Sequence, residues 1–318
     1  MLNEPGDGPR LARWGRGPRR ASGMVEIPQP MKLTPSERFV LYAPALVVVS
    51  AGLLIPAALG LLATLSNYAP VQPTVAWVGL HNFQVILASR TFGAAVRTVL
   101  VFAVLAVPLQ LAVGFGIAFA LRRPFRGRGL VRVLLLLPWL VSPVATGVMW
   151  HFLLDSQAGV LGFATRWIGL PAAPSPLSQH GLALLTVVAV ETWRVAPLVT
   201  FLILPGLERI PAARWDDAEI DGLSALGTAR HVALPSLRAL LWAVTMLLVG
   251  GALATFDSVL TMTGGGPGTE TTTAALYSYD QAFTYDSWPV GATSGWLIGG
   301  AVLIAGLAYL RLSRSTEA

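Results

Sequence analysis

Residues 216–222 read Asp216-Asp217-Ala218-Glu219-Ile220-Asp221-Gly222, and after nine more residues comes Val232-Ala233-Leu234-Pro235. This polar, helix-forming segment lies between two long apolar runs. The chain around it has 318 residues, is 54% hydrophobic and only 12% charged, and has a mean hydropathy of +0.64. A soluble domain carries about 25% charged residues, so lipid is the solvent for most of this protein. A polar insert in that setting reads as a docking element. The chain has no cysteine, which excludes disulfides, thiol catalysis and cysteine-based metal sites.

Working outward from the insert, six apolar runs reach the ~20 residues that a bilayer-crossing helix needs. They lie near 39–65, 92–121, 131–154, 182–204, 239–262 and 288–310. Pro44, Pro56, Pro108, Pro138, Pro143 and Pro197 fall inside or near them. Membrane helices tolerate proline because neighbouring groups satisfy the freed carbonyls. The fold expected is an all-α membrane protein with six transmembrane helices.

The net charge of +6 comes almost wholly from arginine, Lys32 being the sole lysine. A basic balance also suits nucleic-acid binding, but here the arginines adjoin apolar runs, which assigns them to topology. Arg10, Arg13, Arg16, Arg19, Arg20, Lys32 and Arg38 precede the first run. Arg122, Arg123, Arg126, Arg128 and Arg132 separate the second from the third, and Arg209, Arg214, Arg230 and Arg238 the fourth from the fifth. Arg311 and Arg314 follow the sixth. The alternate loops hold only Arg90 and Arg166. The positive-inside bias then puts both termini in the cytoplasm of a multi-pass protein of the cell membrane.

Residues 1–38, rich in Gly, Pro and Arg, read as a disordered cytoplasmic tail, with the membrane domain over 39–318. The first run is too long for a signal-peptide core and shows no small-residue cleavage site, so it is expected to be retained. No internal repeat supports an inverted-repeat transporter.

The insert, taken as 205–238, reads as two short helices. Pro211 suits the first helical position, and Asp216, Asp217, Glu219 and Asp221 make the first helix acidic. Gly222 suits a left-handed helix end, Ser224 caps the next helix, and Leu234-Pro235 stops it. An Asp-Asp-Ala triplet, three residues, Gly222, nine residues, Val232 and Leu234-Pro235 together resemble the "EAA" loop of permease subunits of ATP-binding-cassette importers. The chain departs with Asp216 for Glu, Asp217 for Ala, Leu223 for Ala and Ala229 for a common aromatic, and Trp215 is expected to supply the aromatic contact instead.

The resemblance implies a cytoplasmic coupling helix between spans 4 and 5, seated in a groove of an ATPase subunit. Trp215, Asp216, Asp217, Ala218, Asp221, Gly222, Leu234 and Pro235 would carry the coupling. It also implies alternating access driven by that partner. No Gly-x-x-x-x-Gly-Lys-Ser/Thr phosphate loop occurs, and Gly264-Gly265-Gly266-Pro267-Gly268 lacks the lysine. The chain is therefore expected to be no enzyme and to bind no cofactor, ATP and Mg being used by the partner.

Further motifs extend the resemblance across roughly 39–310. Trp77-Val78-Gly79-Leu80-His81-Asn82-Phe83, Leu137-Pro138-Trp139 with Trp150, and Glu191-Thr192-Trp193-Arg194 are similar to carbohydrate-permease patterns. So are Phe256-Asp257 followed by Leu260-Thr261-Met262-Thr263-Gly264-Gly265-Gly266-Pro267, and Tyr277-Ser278-Tyr279-Asp280-Gln281-Ala282-Phe283. The last two resemble the first of two non-identical permeases in importers of the maltose and glycerol-phosphate type. That implies a second permease, two ATPase subunits and an extracytoplasmic solute-binding protein.

Ionisable residues in a membrane are costly and are functional candidates. Glu191 and Arg194 share a helix face, for pairing or for solute contact. Asp257 lies near Thr255 in the outer part of span 5 and suits sugar hydroxyls as a hydrogen-bond acceptor. Trp193, Phe256 and Trp150 suit stacking on sugars, and equally interface anchoring. The resembled family passes solute along spans 4 and 5, which nominates Trp193, Thr200, Thr255, Phe256 and Asp257. His81, His151, His180 and His231 are scattered without metal-ligand spacing. The competing readings are a self-contained secondary transporter or channel, with 205–238 merely structural, and a membrane-embedded enzyme. The second is disfavoured by the lack of clustered His, Cys or paired acids.

Overall fold

The computed structural model describes residues 34–69, 75–169, 171 and 174–317. The tail expected over 1–38 therefore lies almost wholly outside the described residues. The chain forms two compact units, residues 1–53 and 54–318. The first holds the greater part of α1 (Pro35–Thr64), which runs on into the second.

The second unit continues with α2 (His81–Ala88), α3 (Arg90–Leu121), α4 (Arg128–Leu140), α5 (Pro143–Leu153) and α6 (Val160–Trp167). Then come α7 (Leu182–Glu208), α8 (Ala212–Ile220), α9 (Ala225–Thr228), a π-helical turn (Ala229–Ala233) and α10 (Leu234–Ser236). The last helices are α11 (Arg238–Leu253), α12 (Asp257–Met262), α13 (Ala274–Tyr279) and α14 (Trp288–Glu317). Among the described residues β-pairing is limited to an isolated bridge, Ser66 to Trp77.

Among the described residues four helices are long and apolar enough to cross a membrane: Phe39–Thr64, Arg90–Leu121, Leu182–Glu208 and Trp288–Leu307. The expected third span is broken, and the helix of the expected fifth span is bent away from the stretch before it. Arg128–Leu140 and Pro143–Leu153 meet at 93°, and Ala225–Ser236 and Arg238–Leu253 at 84°. Counting each bent pair as one span gives six.

The first break follows from Pro143. Proline pushes the residue before it out of the helical region, and Ser142 is extended (φ −61, ψ 149). Ser142 then caps α5 by accepting the Ala145 N–H at 3.2 Å. The expected fifth span also ends early, at Leu253. The Thr255 hydroxyl turns back to the Gly251 carbonyl (2.8 Å), and Phe256 leaves the helical region (φ −144). Asp257 accordingly starts the separate helix α12 rather than sitting within span 5.

The core lies where α3 and α7 pack along each other, around Phe102, Val187, Val199, Ile203 and Leu207. Lipid removes the hydrophobic drive between membrane helices, so close small-residue packing and interhelical hydrogen bonds hold them. The Thr200 hydroxyl donates to the Gly114 carbonyl across this interface at 3.1 Å. A second close contact joins α5 to α12. A Cβ on Gly147 would overlap the Thr261 hydroxyl and lie 2.7 Å from the Ser258 carbonyl, so only glycine fits there.

At the end of the bundle away from α8, Glu270 ties three segments together. Its carboxylate accepts the Gly181 N–H (2.7 Å) and meets His180 Nδ1 (3.2 Å). Its carbonyl accepts from Thr98 (3.3 Å). The neighbouring glycine-rich turn is closed on itself: Thr271 donates to the Gly266 carbonyl (2.9 Å) and pairs with Thr263 (2.7 Å).

Candidate functional site

Residues 205–238 leave α7 and return to the membrane helices through α8, α9, the π turn and α10. Pro211 is the residue before α8 rather than its first helical residue (φ −54, ψ 140). At the other end the Leu223 N–H bonds the Ala218 carbonyl (3.0 Å) and the Gly222 N–H the Glu219 carbonyl (3.1 Å). This is the Schellman arrangement, which needs a left-handed residue, and Gly222 has φ +67. Ser224 caps α9 by accepting the Gly227 N–H at 3.2 Å.

Pro235 does not end this helical stretch, which runs on to Ser236. The π turn absorbs the proline: the Leu234 N–H reaches back to Ala229, and the Ser236 hydroxyl bonds the Val232 carbonyl at 2.6 Å. The chain redirects at Leu237 instead (φ −105, ψ 6).

One face of α8 is held by the bundle. Ala218 is buried, and Arg214 bonds Ser236 at 3.1 Å. Trp215, expected to face a partner, packs inward on Phe119 (ring centroids 6.2 Å). Ala229, which stands where the resembled family commonly has an aromatic residue, is buried too. The remaining surface of the insert is open: Asp216, Asp217, Glu219 and Asp221 at α8, and Leu234 and Pro235 of α10, are exposed. Two side chains that motif matching passes over dominate it, Ile220 at 83% exposure and Leu226 at 80%. The signal was an isoleucine amid four acids, and a leucine one residue into a short capped helix.

Between this insert and the α3–α4 connection lies a groove of 1320 Å³, lined among others by Arg122, Arg123, Arg128, Glu208, Trp215 and Asp216. Glu208 accepts hydrogen bonds from Arg128 (2.5 Å) and Arg132 (2.7 Å). Burial, and then the like charge of Arg123, pull the Arg122 pKa below its ordinary value.

The five residues nominated for the solute path lie on α7 (Trp193, Thr200) and at the α11–α12 break (Thr255, Phe256, Asp257). Trp193 lies edge-on to Trp150 (5.5 Å), beside the Glu191–Arg194 pair (2.7 Å), whose side chains are 3% and 17% exposed. Thr200 is fully buried, its hydroxyl spent on Ala196 and Gly114, so it joins α7 to α3 rather than facing an opening. Thr255 lies in the break between α11 and α12, and its carbonyl accepts from Thr273 (2.7 Å). Phe256 stacks on Tyr279 (5.5 Å) and lines an aromatic cavity of 1100 Å³ with Phe283 and Trp288. Asp257, partly exposed, starts α12. Burial pushes the nearby Asp280 carboxyl above the usual range, a rise only partly offset by the Thr284 hydroxyl. Among the described residues no group of His, Cys, Asp or Glu is placed to hold a metal ion.

Comparison with known proteins places these features. Residues 112–316 match the model of the family described as binding-protein-dependent transport system inner membrane component. A probable ABC transporter permease, y4oQ of Sinorhizobium fredii, is 35% identical over 207 residues, covering 65% of this chain and 66% of the relative. The trehalose/maltose transport system permease MalF of Thermococcus litoralis is 27% identical over 87% of this chain and 93% of its own. The sn-glycerol-3-phosphate transport system permease UgpA of Agrobacterium fabrum is 29% identical over 212 residues, 65% of this chain and 70% of its own. A chain of a bacterial ABC transporter for alginate import has the same fold, with TM-score 0.75 and 20% identity over 88% of this chain and 96% of that one. The chain is a multi-pass membrane permease subunit of the ABC transporter type and belongs to the family of binding-protein-dependent transport system inner membrane components.

Proposed function

We propose that this permease forms half of the pathway by which a sugar, polyol or sugar phosphate enters the cell, with α8 as its coupling helix. Its partners are a second, non-identical permease, two ATP-binding-cassette ATPases that use the ATP and Mg, and an extracytoplasmic solute-binding protein. Both termini lie in the cytoplasm, with α4 and α5 together as the third of six spans and α11 as the fifth. The observation that carries this reading is the two-faced α8, within a chain of this family. Trp215 and Ala218 fix one face to the bundle, while Asp217, Ile220 and Asp221 stand exposed on the other.

The structural relative in complex with a periplasmic protein bound to alginate pentasaccharide supports a solute-binding partner. The trehalose/maltose and glycerol-phosphate relatives support the solute class. A self-contained transporter would not need an exposed apolar pair beside an acidic helix. The deciding experiment reconstitutes the whole complex and measures ATP hydrolysis across a panel of sugars and sugar phosphates. Stimulation by one member is expected; transport by this chain alone, without an ATPase, would refute the reading.

Within the pathway, Asp257 is the residue best placed to meet solute hydroxyls, being partly exposed at a helix break. Asp257→Ala is expected to lower uptake by about tenfold, the loss of one or two charge-assisted hydrogen bonds. Solute-free ATP hydrolysis should be unaltered. Unchanged uptake would remove Asp257 from the path.

A further inference from the structure

The attachment of α8 to the bundle turns on one arginine. Arg122 is the residue directly after α3, and its guanidinium carbon lies 3.5 Å from the centroid of the Phe119 ring. The same carbon lies 4.9 Å from the ring of Trp215 on α8. Its Nη1 also donates to the Phe119 carbonyl at 2.7 Å. The last carbonyls of a helix have no partner within it, and a cation there is favoured by the helix dipole. Arg122 thus closes the end of α3 and holds the indole of α8 with the same planar group. A lysine cannot do both, since an ammonium does not stack flat on a ring.

Behind this clamp the contacts are continuous. Phe119 stacks on Phe115 one turn deeper in α3 (5.9 Å, 21°). The Thr200–Gly114 bond passes from α3 to α7, which carries Glu191 and Arg194. Trp193 of α7 meets Trp150 of α5, and α5 is locked to α12, which begins at Asp257.

We infer that Arg122 is the positioning residue that makes α8 and α3 one rigid body, so that a displacement of the coupling helix reaches the membrane helices through α3. The inference rests on α8 being the coupling helix. It goes beyond that reading in assigning the transmission to a side chain outside the insert.

The chain has no native cysteine, which allows spin labels at Ala213→Cys on α8 and Val104→Cys on α3, both exposed positions. Distances are measured in the reconstituted complex with and without ATP. With Arg122 present, the distribution is expected to stay single and narrow when ATP is added. Arg122→Ala and Trp215→Ala should broaden it and shift it on ATP addition. Trp215→Phe should keep it narrow, and Arg122→Lys should fall between. A role in folding stability alone would lower thermal stability without an ATP-dependent shift.

An unchanged distribution in folded Arg122→Ala or Arg122→Lys complex overturns the inference. So does loss of the ATPase from the purified Arg122→Ala complex, since the clamp would then build the docking surface. The underlying reading is checked separately. Ile220→Asp with Leu226→Asp should release the ATPase; retention there counts against the coupling-helix reading on which the inference rests, whereas an unchanged Arg122→Ala distribution counts against the clamp alone.

Discussion

Glu191→Ala is expected to destabilise the fold by about 3–5 kcal/mol, because it leaves the Arg194 guanidinium buried without its partner. The carboxylate takes three hydrogen bonds from Arg194, the shortest 2.7 Å, and is itself almost fully enclosed. In the apolar middle of α7, water is not at hand to replace it. Thermal unfolding of the complex in lipid nanodiscs should show a large drop for Glu191→Ala. The double variant Glu191→Ala/Arg194→Ala should recover much of it, since neutralising both ends of a buried pair costs far less than orphaning one. Equal melting of Glu191→Ala and the parent protein would show that solute or water, not Arg194, is the main partner of this carboxylate.

Gly222→Val is expected to reduce uptake by about tenfold, which corresponds to ~1.4 kcal/mol. A Cβ at Gly222 meets nothing within 4 Å, so crowding is not the cause. The cost is conformational. A non-glycine residue in the left-handed region gives up roughly 1–2 kcal/mol, and a β-branched one is a genuine outlier there. The helix end at Ala218–Leu223 would relax, and Ile220 with it. Gly222→Asn, which tolerates positive φ, should retain most of the uptake. If Gly222→Val and Gly222→Asn transport alike, the Schellman end of α8 has no part in coupling.

Much of this architecture is legible in the chain before folding. Apolar run lengths locate the membrane helices, and Ser224 announces a helix start through the short polar side chain that N-caps require. Gly222 announces a helix end because glycine alone enters the left-handed region freely. The Glu191–Arg194 pair is readable from its spacing. The breaks are not: the Thr255 hydroxyl returning to Gly251 and the π turn before Pro235 depend on which carbonyls are left free by packing. Trp215 and Ala229 point inward for the same reason.

By itself the sequence determines period, charge and covalent preference. It therefore settles that this is a helical membrane protein with an acidic insert, and the spacing of that insert carries the family resemblance. Which face of the insert is free is decided only in three dimensions. The Phe119–Arg122–Trp215 stack brings together residues nearly a hundred positions apart, and so commits the indole to the bundle. That commitment leaves Ile220 and Leu226 as the exposed apolar pair. Side-chain contacts of this separation are set by how α3, α7 and α8 pack, and no local propensity encodes them.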